Sequence, residues 1–92
     1  MYSYPTIANV AMTTGGTEYS YTIPANTKKI LFKERSGGNS VKFCFTASAS
    51  ATTYVTLPAG STKYLEGAWL TGLTLYFQSA NSGLVLELEI WQ

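Results

Sequence analysis

Apolar and polar residues alternate along most of this chain with a period of two, the spacing of a strand that buries one face. The closing segment is the clearest case: Leu84, Leu86, Leu88 and Ile90 fall on one side, Val85, Glu87, Glu89 and Trp91 on the other. No window places apolar residues at i, i+3, i+4 and i+7, and β-branched residues recur throughout, so helix is not expected. Clusters of Gly, Pro, Asn and Ser break the alternation about every ten residues. The pattern predicts eight strands: Thr6–Met12, Glu18–Ile23, Lys28–Arg35, Val41–Thr46, Tyr54–Leu57, Thr62–Glu66, Leu73–Gln78 and Gly83–Trp91. One apolar face per strand implies an all-β fold, an antiparallel two-sheet β-sandwich.

The same alternation assigns faces. Tyr19, Tyr21 and Ile23 are expected inside, as are Ile30 and Phe32, with Leu31 on the polar side. Val41, Phe43 and Phe45 oppose Lys42, Cys44 and Thr46, and Leu73, Leu75 and Phe77 oppose Thr74, Tyr76 and Gln78. The segment Ala47–Thr53 has only small residues, none apolar beyond alanine, and reads as a mobile loop.

Two segments resemble each other, Thr22-Ile-Pro-Ala-Asn-Thr-Lys28 and Thr56-Leu-Pro-Ala-Gly-Ser-Thr-Lys63. In each, an apolar strand end meets a proline, which has no N–H to give a ladder and so ends pairing. A faint two-fold repeat and eight strands together suit a jelly roll, which is two Greek keys. In that topology the last strand lies between the first and third. Glu87 and Glu89 are then expected to face Lys33 and Arg35, pairs that fix register more than they stabilise.

At 92 residues the chain is one domain, with Met1–Pro5 as an extended N-terminal arm. Charged residues make up 12%, about half the usual share, and there is no Asp and no His. The commonest general base and metal ligand are therefore missing, and neither a Ser-His-Asp triad nor an aspartic dyad can be assembled. Lone Cys44 can make neither an internal disulfide nor a cysteine zinc site, and no base or helix start activates it. No catalytic residues, metal or cofactor are expected, and the chain does not read as an enzyme. A net charge of +1 is too weak to track phosphates, so no nucleic-acid partner is expected. No run approaches 18 apolar residues, so no membrane partner is expected either. The start MYSYPTIANV lacks the basic and apolar regions of a secretory signal.

Glu87 and Glu89 form the closest carboxylate pair, at a spacing some glycosidases use. A solvated strand face paired with Lys33 and Arg35 explains them without chemistry. The aromatics are less easily absorbed. Tyr2, Tyr4, Tyr64, Trp69, Tyr76 and Trp91 have no assured place in the core, and Trp69 and Leu70 sit in the Gly-bounded loop Glu66–Gly72. On a chain with few charges, such residues point to a surface covered by another protein. Tyr2, Tyr4, Trp69, Leu70 and Trp91 are the expected protein-interface residues. Trp69, Tyr64 and Tyr76 supply the alternative, a platform on which sugars stack.

The strings Tyr21-Thr-Ile-Pro-Ala-Asn-Thr-Lys-Lys-Ile30, Thr56-Leu-Pro-Ala-Gly60, Leu73-Thr-Leu-Tyr-Phe-Gln-Ser79 and Val85-Leu-Glu-Leu-Glu-Ile-Trp91 resemble small structural proteins of tailed bacteriophages. The likeness spans residues 19–91 and rests on strand and turn chemistry, with no catalytic signature. It implies a β-sandwich virion component assembled in the bacterial host cytoplasm. The expected role is a capsid decoration, or cement, protein that stabilises the head by bridging capsid subunits. The implied partners are the major capsid protein or other virion proteins, with self-association into a cyclic homo-oligomer, a trimer favoured. The alternative is a head-fibre or tail-associated module that binds a receptor or carbohydrate.

Overall fold

The computed structural model describes residues 5–92. Eight strands follow one another: β1 (Thr6–Met12), β2 (Tyr19–Thr22), β3 (Lys29–Glu34), β4 (Val41–Cys44), β5 (Val55–Leu57), β6 (Thr62–Glu66), β7 (Thr74–Gln78) and β8 (Leu84–Trp91). One 3₁₀ turn, Ala68–Leu70, joins β6 to β7. The strands form two four-stranded antiparallel sheets, ordered β1-β8-β3-β6 and β2-β7-β4-β5. This is a jelly roll, with β8 between β1 and β3 as expected of that topology. The ladder runs one residue past each end of β3, through Lys28 N–H to Trp91 O and Arg35 N–H to Val85 O.

The repeat has a structural meaning. Pro24–Thr27 and Pro58–Ser61 are two of the corners at which the chain crosses from the β2-β7-β4-β5 sheet to the other. Both turn through a residue at positive φ, Asn26 at 64° and Gly60 at 77°. Each is closed on its proline carbonyl, by the Thr27 hydroxyl at 2.8 Å in one and Ser61 N–H at 3.1 Å in the other. Two crossings made in the same direction meet the same steric demand with nearly the same residues.

The core lies between the sheets. Ile30, Phe32, Leu86, Leu88 and Ile90 come from one, Val41, Phe43, Leu57, Leu75 and Phe77 from the other. Met12, Ile23 and Leu70 close it. Phe32 and Phe43 meet across the gap edge to face, their centroids 5.0 Å apart, the arrangement that the ring quadrupoles favour.

Four expectations are corrected. Leu70 is a core residue: it is fully buried, because the 3₁₀ turn folds back under the end of the sandwich. It therefore offers no surface to a partner. Phe45, expected inside, is 39% exposed, because β4 ends one residue earlier and no strand covers the ring. Arg35 does not face Glu89; it sits just past the C-terminal end of β3, beside Val85, and reaches diagonally to Glu87 at 2.8 Å. Glu89 instead lies between Leu31 and Ile7. The loop Ala47–Thr53, finally, is built rather than loose, and the residue that builds it is Glu18.

Candidate binding surface

Four aromatic rings run from the core to the surface in edge-to-face contact. Phe32 meets Phe43, Phe43 meets Phe45 at 6.1 Å, and Phe45 meets Trp69 at 6.3 Å between centroids. Trp69 ends the series 55% exposed. Its orientation is fixed in two further ways. The indole Nε1–H donates to Glu66 O at 2.9 Å, and the ring lies against Gly67, whose φ is 133°. A Cβ at position 67 would fall 2.5 Å from both Cδ1 and Nε1 of the indole. Glycine is required there by its backbone conformation and by the ring above it.

Beside Phe45 runs a groove of about 450 Å³, lined among others by Ala49, Thr53, Tyr54 and Val55. Val55 is exposed because β5 is a three-residue edge strand, paired only with β4. Lys42 sits over the Tyr54 ring, 4.8 Å from its centroid, a cation held against an aromatic face. Phe45, Tyr54, Val55 and Trp69 thus form one apolar patch across the groove and the adjoining end of the sandwich. Cys44 lines the groove too, buried, with its thiol donating to Thr46 O.

The wall of this groove is the 47–53 loop, and a carboxylate holds it. Glu18, just before β2, accepts hydrogen bonds from Ser48 N–H at 2.8 Å, Ser50 N–H at 3.1 Å and the Ser50 hydroxyl. Gln78 adds its amide to the Ser50 hydroxyl at 2.8 Å. The Ser50 hydroxyl and Ser48 amide hold the Glu18 carboxyl below its ordinary value, against the opposing cost of desolvation. Glu34 caps the turn between β3 and β4 in the same way. Burial alone would raise its carboxyl, but the Ser36 hydroxyl and amide bring it below the usual range.

Because the folded value is depressed, the Glu18 contacts stabilise the loop fully above the ordinary carboxyl range near 4.5. That contribution disappears as pH falls through the lower folded value. Glu18→Gln is expected to remove it at neutral pH. Amide exchange at Ser48 and Ser50 should rise about tenfold or more, as loss of charge-assisted bonds implies, while the amides of β8 stay protected. Two-dimensional NMR exchange measurements check both halves. Unchanged exchange at Ser48 and Ser50 would leave the loop without its latch.

The expected interface residues do not converge. Tyr2 and Tyr4 lie outside the described residues. Trp69 lies at the end of the sandwich. Trp91 lies on the outer face of the β1-β8-β3-β6 sheet, half-buried under Lys29, whose Nζ is 4.4 Å from its ring centroid. The Trp91 indole N–H is buried without a hydrogen-bond partner among the described residues. The sugar platform does not assemble either. Tyr64 lies on that same outer face opposite Leu31, whereas Tyr76 lies on the outer face of the other sheet opposite Ser20 and Cys44. Among the described residues, no three metal-ligating side chains gather.

No protein-family model and no curated protein matches this chain. A likeness does exist at the level of fold. The sandwich superposes with a TM-score of 0.55 on the solution NMR structure of a de novo designed double-stranded β-helix. The match covers 98% of this chain and 100% of that one at 14% identity. It shows the fold and nothing about function.

Sequence reasoning missed Phe45, Tyr54 and Val55 as members of the patch. One signal was present. A short strand ending at Pro58 is an edge strand, and an edge strand leaves apolar residues open.

Proposed function

We propose that this chain is a non-enzymatic structural protein of a tailed-phage virion, a capsid decoration protein that bridges and stabilises the subunits of the head. The observation that carries the reading is Trp69, an indole more than half exposed yet held in one orientation by Glu66 O, Gly67 and Phe45. An aromatic anchor already fixed in place loses little side-chain entropy on docking, and anchors of this kind dominate protein interfaces. Phe45, Tyr54 and Val55 extend the contact around it. Copies repeated on a lattice hold firmly even where each contact is weak. The resemblance in residues 19–91 supplies the virion setting, and the capsid protein is the proposed partner.

The carbohydrate-binding alternative is less well supported, since Trp69, Tyr64 and Tyr76 occupy three separate sides of the molecule. Trp69→Ala is expected to weaken binding to purified capsids by about thirtyfold or more, the range of an interface hot spot, with folding unchanged. Cosedimentation with empty heads measures it. Equal binding by Trp69→Ala and Phe45→Ala would remove this patch from the interface.

A further inference from the structure

We propose that the outer face of the β1-β8-β3-β6 sheet is a two-fold contact surface for a second copy of this chain. The proposal does not rest on the capsid reading, which uses the Trp69 end of the molecule. Cross-strand register arranges this face in rows. Tyr64, Leu31, Glu89 and Ile7 form one row, and Thr62, Lys33, Glu87 and Asn9 the next. A shallow groove of about 360 Å³ follows them. Ile7, at 68% exposed, and Tyr64 leave the first row apolar at both ends.

The charges on this face are unevenly matched. Glu87 is engaged by Arg35, so Lys33, its opposite number in the ladder, is left over. Glu89 lies between Leu31 and Ile7, and among the described residues neither Glu89 nor Lys33 makes an ion pair. A partner covering this row must bring a cation to Glu89, since a carboxylate desolvated without one is costly. It must also bring an anion to Lys33, one row and one strand away. The same face, turned about a two-fold axis in the interface, presents that pair. Lys33 of each copy meets Glu89 of the other, Leu31 of the two copies meet near the axis, and Arg35 keeps Glu87 neutralised there. Identical patches paired in this way make an isologous dimer.

The area is modest. Four strands about 4.8 Å apart, crossed by a few rows about 6.8 Å apart, cover roughly 300–400 Å² per copy. A stable interface uses about 800 Å² per partner, so this contact is weak alone and suited to copies already held side by side. The pattern favours a two-fold contact over the trimer that the sequence suggested.

The test is sedimentation equilibrium of the full chain up to about 1 mM at low salt, where contacts of this strength are populated. The wild-type mass is expected to rise toward that of a dimer. Lys33→Glu and Glu89→Lys should each weaken association about tenfold or more, with melting curves confirming that both variants fold. An equimolar mixture of the two variants should dimerise again. The acid introduced at 33 then faces the lysine introduced at 89, and the untouched Lys33 and Glu89 face each other. A wild type that stays monomeric, single reversals without effect, or a mixture that fails to recover would each overturn the proposal.

Discussion

Replacing Phe43 by alanine is expected to cost about 3–5 kcal/mol of folding stability, the range for a large aromatic removed from a closed core. Phe43 is fully buried and bridges the two sheets against Phe32 at 5.0 Å. The neighbours that would have to collapse into the space belong to hydrogen-bonded strands and cannot follow. The ring also supports Phe45, and through it the exposed Trp69. Small domains have only about 5–15 kcal/mol in total, so the melting temperature should fall by about 15–30 °C. Tyr54→Ala is the control, a ring of similar size that is 40% exposed; it should change stability by about 0.5 kcal/mol or less. Thermal and denaturant unfolding of both variants decides the matter. A loss under about 1 kcal/mol for Phe43→Ala would mean that the sheets are not joined through this ring.

The second large effect is expected from adding a single methyl group. Gly67→Ala places a Cβ 2.5 Å from two atoms of the Trp69 indole, on a backbone whose φ of 133° L-residues rarely adopt. The strained backbone alone costs about 1–3 kcal/mol. The larger consequence is positional. The indole must leave, losing its hydrogen bond to Glu66 O and its edge contact with Phe45. Tryptophan emission should shift to the red as the ring enters water, and Trp91, on another face, should not contribute to the change. The proposed binding to capsids should fall as far as in Trp69→Ala, although the tryptophan is still present. Unchanged emission together with native binding would show that Trp69 does not depend on Gly67 for its place.

Much of the scaffold was legible because the information is local. Whether a side chain points in or out of a strand follows from its parity, and parity is written in the sequence. β1 and β6 have the boundaries that the alternation predicts, and the other strands are shorter by one or two residues at one end or by one at both. The candidate surface was legible only at Trp69. Phe45 and Leu70 exchange their expected places, one outward and one inward, because Phe45 lies just past β4 and Leu70 in the 3₁₀ turn, where strand parity does not set direction. Glu18 and Glu34 were equally opaque. A carboxylate that caps a turn is recognised by the amides it reaches, and for Glu18 those amides lie 30 and 32 residues away.

The sequence by itself determined the all-β character, the eight strands, their inward faces and the two Pro-bounded corners, since each follows from backbone chemistry within a few residues. Tertiary structure alone decided which loop folds over which strand end. That choice sets Leu70 in the core, brings Phe45 under Trp69, closes the 47–53 loop on Glu18 and leaves Lys33 and Glu89, among the described residues, without an ion pair. Such contacts join residues far apart in the chain, and their geometry exists only once the two sheets have packed.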